Sequence, residues 1–265
     1  MSDHYDEFEP VDRDLPPCAN RASLKAGQLG ASLRRLELLQ DDLFMTVQSS
    51  HLDIVDQFLL DVEATVLRKL REQERTPAEA HFLAAQSEMW IFAAYELIRT
   101  WTQRAKDFVK LADNGGFPSK ITALRAIDDG YEHSGREMRI RQLEEAAANP
   151  TIIARLRKQL AVLYMPFTML EHLRVAIAKH EVSGKGKSIA LFPGHGRINR
   201  WCGSLDYELE NGKFVLCEMS RRDVADSFRF LDIEGPPPDE ESIASFDAWL
   251  SGKDAGPLDG PAKSA

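Results

Sequence analysis

The chain has 265 residues, is 43% hydrophobic and 28% charged, and carries a formal net charge of -9. That composition suits a globular protein of one large or two small domains and excludes a collagenous, wholly disordered or disulfide-stapled chain. No stretch reaches the roughly 20 apolar residues of a membrane span, and the N-terminus is acidic where a secretory signal would be basic and then apolar, so no membrane partner and a cytoplasmic location are expected. The cysteines, Cys18, Cys202 and Cys217, include no CxxC pair and cannot build a four-cysteine zinc site.

Charge is unevenly spread. Residues 1 to 17 hold a net of -5 and residues 232 to 265 a net of -6, which leaves residues 18 to 231 with +2. Both ends are poor in large apolar side chains and rich in Pro and Gly, the composition of flexible tails. Within the second, Ile243, Phe246 and Leu250 recur at helical spacing beside Trp249 and predict a short docking helix.

Between Ala19 and Gln48, Leu33, Leu36, Leu39 and Leu43 follow the helical period and predict one helix. Ser50 with Asp53 resembles a capping box, and Val55, Leu59, Val62, Val66 and Leu70 then form a stripe that predicts a second helix running to about Arg75. Thr76-Pro77-Ala78-Glu79 starts a third, long helix through Leu83, Trp90, Ala94, Leu97, Trp101 and Phe108, which stops at Asn114-Gly115-Gly116. Two short helical patterns follow, around Ile121 to Ile127 and Arg136 to Ala147.

Asn149-Pro150 restarts the chain as a helix N-terminus. The line Ile153, Leu156, Leu160, Leu163, Phe167, Leu170 and Ile177 has the cleanest period in the sequence, with Arg174 in its one vacancy and Pro166 placed to kink it. Beyond His180 the pattern becomes strand-like. Ser188 to Phe192 is one expected strand, and Leu205 to Leu209 and Phe214 to Cys217 flank the hairpin signal Asn211-Gly212. Ser220-Arg221-Arg222-Asp223 then caps a last helix through Val224, Phe228 and Leu231.

Two groups of residues stand out chemically. An arginine in an apolar seam must find an anion or reach water, because an unpaired buried charge is costly; Arg174 is such a residue, and His180 rims the same seam. The stretch from Val182 to Leu205 contains no acid but has Lys185, Lys187, His195, Arg197 and Arg200, with Gly184, Gly186, Gly194 and Gly196 and the aromatics Phe192 and Trp201 interleaved. Exposed backbone amides, cations and a stacking surface suit a phosphate or a nucleic-acid strand, while a solvated basic loop between strands would look the same. The histidines show no HExxH or other paired spacing, so no metal and no cofactor is expected.

The segment Arg174-Val175-Ala176-Ile177-Ala178-Lys179-His180 resembles the signature of the HEPN family of helical nucleotide-binding and ribonuclease domains, an arginine and a histidine a few residues apart late in a helical bundle. The resemblance implies a homodimer that cleaves RNA without a metal, with Arg174 holding the phosphate and His180 in acid-base or phosphate contact.

The expectation is a mainly α protein: a bundle of about five helices over residues 18 to 181, a small antiparallel β unit with a closing helix over 182 to 231, and acidic tails at 1 to 17 and 232 to 265. It would contact RNA or a nucleotide phosphate through Arg174, His180, Lys185, Lys187, His195, Arg197 and Arg200. The rival is a non-catalytic helical interaction or regulatory module whose stripes make a homodimer or partner surface; Arg174 would then be sealed against a core carboxylate and His180 would be a cation at a helix end.

Overall fold

In the computed structural model, helix α2 (Leu43–Gln73) and helix α3 (Glu79–Asp113) run antiparallel as the spine of a mainly α molecule. The structure describes residues 19, 21 to 73, 75 to 178, 194 to 212 and 214 to 252. His180, Lys185, Lys187 and the expected strand from Ser188 to Phe192 lie outside the described residues. Nine α-helices and three strands occur among the described residues; seven of the helices lie within residues 18 to 181, where about five were expected, and the other two stand where the closing and docking helices were expected.

The helix expected between Ala19 and Gln48 is divided. A 3-10 turn (Arg21–Ser23) and a short helix α1 (Gln28–Arg34) replace the single expected helix. Residues 35 to 42 then turn tightly, with Leu38 at φ 69, and bury Leu36, Leu38 and Leu39. Side chains from elsewhere satisfy this backbone in place of helical bonds: Trp101 donates to the Glu37 carbonyl at 2.7 Å, Gln142 to that of Leu38 at 3.1 Å, and the Glu37 N–H donates to Gln159 Oε1 at 2.8 Å. Helix α2 starts at Leu43, where Asp42 Oδ1 accepts the Met45 N–H at 3.0 Å. The expected start at Ser50 is therefore corrected; its hydroxyl donates to the Thr46 carbonyl at 3.0 Å within the helix.

Helix α3 does not use the expected Thr76 cap, since Ala78 stands at its N-cap and Glu79 is ion-paired with Lys69. It does stop at the glycine pair, with Gly115 at φ 65 and the Gly116 N–H bonded to the Leu111 carbonyl at 2.8 Å. Helices α4 (Phe117–Arg125) and α5 (Ser134–Ala148) account for the two short patterns. Asn149 Oδ1 caps helix α6 (Pro150–Val162) by accepting the Thr151 N–H at 3.1 Å. Helix α7 (Tyr164–Ala178) departs from α6 by 51°; Pro166 has no N–H for the Val162 carbonyl, and the chain bends at that gap. No single helix among the described residues is long and apolar enough to cross a membrane.

Strands β1 (Arg197–Ile198), β2 (Leu205–Glu210) and β3 (Val215–Ser220) form an antiparallel sheet in that order, turning at Asn211-Gly212 with Gly212 at φ 81. β2 is buried on both faces: Leu205, Tyr207 and Leu209 join the helical core, while Asp206 and Glu208 are covered by Asn199 and Arg197. Burial pushes the β3 thiol of Cys217 up to about 12, which keeps it protonated at neutral pH. Helix α8 (Arg221–Arg229) begins on a capping box between Ser220 and Asp223, as its sequence indicates. Within the acidic C-terminal stretch Ile233 is buried, and helix α9 (Glu240–Ser251) sets Phe246 against the Tyr164 ring and Asp247 2.7 Å from its hydroxyl.

Candidate functional site

Helix α2 is built in an unusual sense. Its buried line is Met45, Ser49, Leu52, Asp56, Leu59, Glu63 and Val66, alternating four and three residues apart, so two acids occupy seam positions. The expected stripe is corrected accordingly, with Val55 and Val62 only partly buried. The acids are inside because α8 brings three arginines to them. Arg221 pairs with both Asp56 and Glu63, Arg222 with Glu63 at 3.0 Å, and Arg229 with Asp56 and Asp226, all within the core. Trp90 of α3 lies 5.4 Å from the Arg221 guanidinium and donates its indole N–H to the Leu52 carbonyl at 2.9 Å. Burial would lower the Arg221 pKa, but Glu63 and Asp56 outweigh it and hold the group above its ordinary value. For Arg229 burial prevails and the pKa falls. The three arginines are matched in number by Asp56, Glu63 and Asp226, although Nε of Arg221 and of Arg229 has no hydrogen-bond partner among the described residues, and the arrangement holds α8 on α2.

With the charges turned inward, the outer side of the spine is apolar. Leu43, Phe44, Val47, Ile54 and Phe58 of α2 are exposed, Ile54 at 65%; from Leu43 to Leu60 the two carboxylates of α2, Asp53 and Asp56, are buried, while the His51 imidazole is exposed and the exposed Asp61 follows Leu60. Phe82 of α3 meets Phe58 edge-on at 6.1 Å, and Met89 is 65% exposed further along. Ala85 and Ala93, also exposed, leave depressions beside them. No sequence pattern singled out this face, because the stripe expected on this helix, Val55, Leu59, Val62, Val66 and Leu70, passes over Ile54 and Phe58.

The residues singled out for phosphate contact are placed as follows. The Arg174 guanidinium lies 4.9 Å from the Tyr95 ring centroid, and on the same helix Phe167 stacks on that ring at 5.7 Å. Tyr95 donates to Glu171 Oε1 at 3.2 Å, and burial together with that carboxylate raises its pKa. Among the described residues Arg174 is not sealed against a carboxylate, the arrangement expected of a purely structural arginine, and its buried Nε has no hydrogen-bond partner. On the sheet, Arg197 pairs with Glu208 and lies 3.5 Å from Glu218, so its charge is matched locally. Arg200 and His195 are exposed, and the Arg200 carbonyl accepts from Arg71 of α2 at 3.2 Å. No group of three or more metal-ligating side chains occurs among the described residues. No family model, no curated protein and no solved structure matches this chain.

Proposed function

We propose that this protein is a non-catalytic helical interaction module that acts as a homodimer joined through the outer face of α2 and α3. The observation that carries the reading is the exposed apolar face itself. The exposed fractions of Leu43, Phe44, Val47, Ile54, Phe58, Phe82 and Met89 together equal about four whole large side chains, on the order of 800 Å² of apolar surface. A lone monomer seldom leaves so large a patch open, and about 800 Å² per partner is what a standard stable interface buries.

A second copy fits better than a charged partner. A two-fold axis sets the same patch against itself, and a mainly apolar patch, with the exposed acids Asp61 and Glu96 ion-paired to Arg21 and Arg99, meets its copy with little like-charge repulsion. Exposed Phe82 and Met89 beside Ala85 and Ala93 supply projections and depressions on one surface. The acidic residues 1 to 17 are chemically unsuited to covering it. Sedimentation of the full chain over a dilution series should give twice the chain mass, and the double variant Ile54→Glu, Phe58→Glu should sediment as a monomer of unchanged helicity. A monomer at every concentration, or a variant that still dimerises, overturns the reading.

Phosphate or RNA contact at Arg174 is a second reading, favoured by the one observation that this arginine has no carboxylate partner among the described residues. RNA binding and cleavage, compared between the natural chain and Arg174→Met, test it; no RNA affinity, or equal affinity and cleavage in the two, removes it.

A further inference from the structure

Helices α3, α4 and α5 enclose an open cleft of about 560 Å³, within the range of small-molecule sites. Three arginines line it, and they differ in one respect. Arg104 is paired with the buried Asp42, and Arg136 lies 2.5 Å from Asp129, whereas Arg139 has neither an ion pair nor a hydrogen bond among the described residues. Its guanidinium rests 4.3 Å from the Phe108 ring centroid, and Nη1 is sealed from water with no partner. Burial and the neighbouring Arg104 lower its pKa to about 10, which leaves it cationic at neutral pH.

We infer that this cleft binds a small organic monocarboxylate, the carboxylate on Arg139 and its apolar part against Leu124, Ile127 and Met138. An unpaired, partly desolvated guanidinium is costly to leave as it is, and a carboxylate matches its Nε and Nη2 edge, the one not sealed from water, with two parallel charge-assisted bonds. Asp42 and Asp129 are bonded to Arg104 and Arg136, which leaves Arg139 as the one lining arginine without a bonded carboxylate; Asp107 already balances its charge from a distance, so a single carboxylate bonded to Arg139 is the most the cleft accommodates, and a dianion would set its second charge against Asp107 and Asp129. Gly135 in the first turn of α5 adds the positive end of a helix dipole. Asp107 is the one lining carboxylate that faces Arg139 without being bonded to it, and it acts as the ligand's competitor.

The test is an NMR titration of the full-length protein with acetate, hexanoate and benzoate, with hexanamide and inorganic phosphate as controls. Hexanoate or benzoate should shift the Gly135 and Arg139 signals saturably, acetate more weakly, and hexanamide not at all. Arg139→Met, which keeps the contact with Phe108, should weaken binding at least about tenfold. Asp107→Asn, on an exposed position, should tighten it about threefold and keeps the test decisive if Arg139→Met fails to fold. No saturation by any carboxylate, tighter binding of phosphate, equal affinity in Arg139→Met, or no gain in Asp107→Asn overturns the inference.

Discussion

The two sides of helix α2 invert the usual distribution of polarity. Its inner side buries Asp56 and Glu63 against three arginines of α8, while its outer side presents Ile54, Phe58 and Phe44 to solvent. Burial and hydrophobicity are separable: a charge is tolerated inside when its partners arrive with it, and an apolar residue stands outside when it has other work. The inner side makes α2 depend on α8. The outer side makes α2 available to something else.

The sharpest way to break this contrast is Asp56→Ala, which leaves Arg221 and Arg229 buried without their shared carboxylate. It should cost about 3–5 kcal/mol, read from denaturant unfolding followed by circular dichroism. A loss below about 1 kcal/mol would mean that the arginines find water or other acids, and that the inner side is not closed.

A smaller loss is expected from Gly203→Ala. Gly203 has φ 81 and sits where an added Cβ would lie 2.1 Å from the Glu63 carbonyl oxygen, so the turn before β2 can approach α2 only without a side chain. Strain of that kind costs about 1–3 kcal/mol, measurable in the same unfolding experiment, and a neutral substitution would show that the turn does not press on the inner side.

Least affected should be the folding of an outer-side variant. Ile54→Ser, measured at a dilution where the chain is monomeric, should change monomer stability by no more than about 0.5 kcal/mol, because nothing in the monomer packs over this exposed side chain. The same substitution should weaken self-association, and stability lost at high dilution would place Ile54 in the fold instead of the interface.

Local punctuation was readable from the sequence because its chemistry acts within a few residues. Asn149-Pro150, Asn211-Gly212, Gly115-Gly116 and the box from Ser220 to Asp223 all mark the boundaries they indicate. Ser50 and Thr76 carried equally good local signals, and those were overridden: Asp42 captured the start of α2 about two turns earlier, and Lys69 took Glu79 away from its cap. The facing of α2 was not readable at all, since Asp56 and Glu63 become seam residues only when arginines more than 150 positions away fold onto them. Arg139 was passed over for a related reason. Its cleft is assembled from three helices, and no short motif announces it.

The distance along the chain between Asp56 and Arg229, 173 positions, sets an order of events during synthesis. Helix α2 and helix α3 leave the ribosome early, yet the inner side of α2 carries two naked carboxylates until α8 follows. An early hairpin of these helices lacks the partners of Asp56 and Glu63, and the ion pairs that close this side of the core form only once α8 has been made. A chain cut short before Arg221 would keep both carboxylates without their arginines.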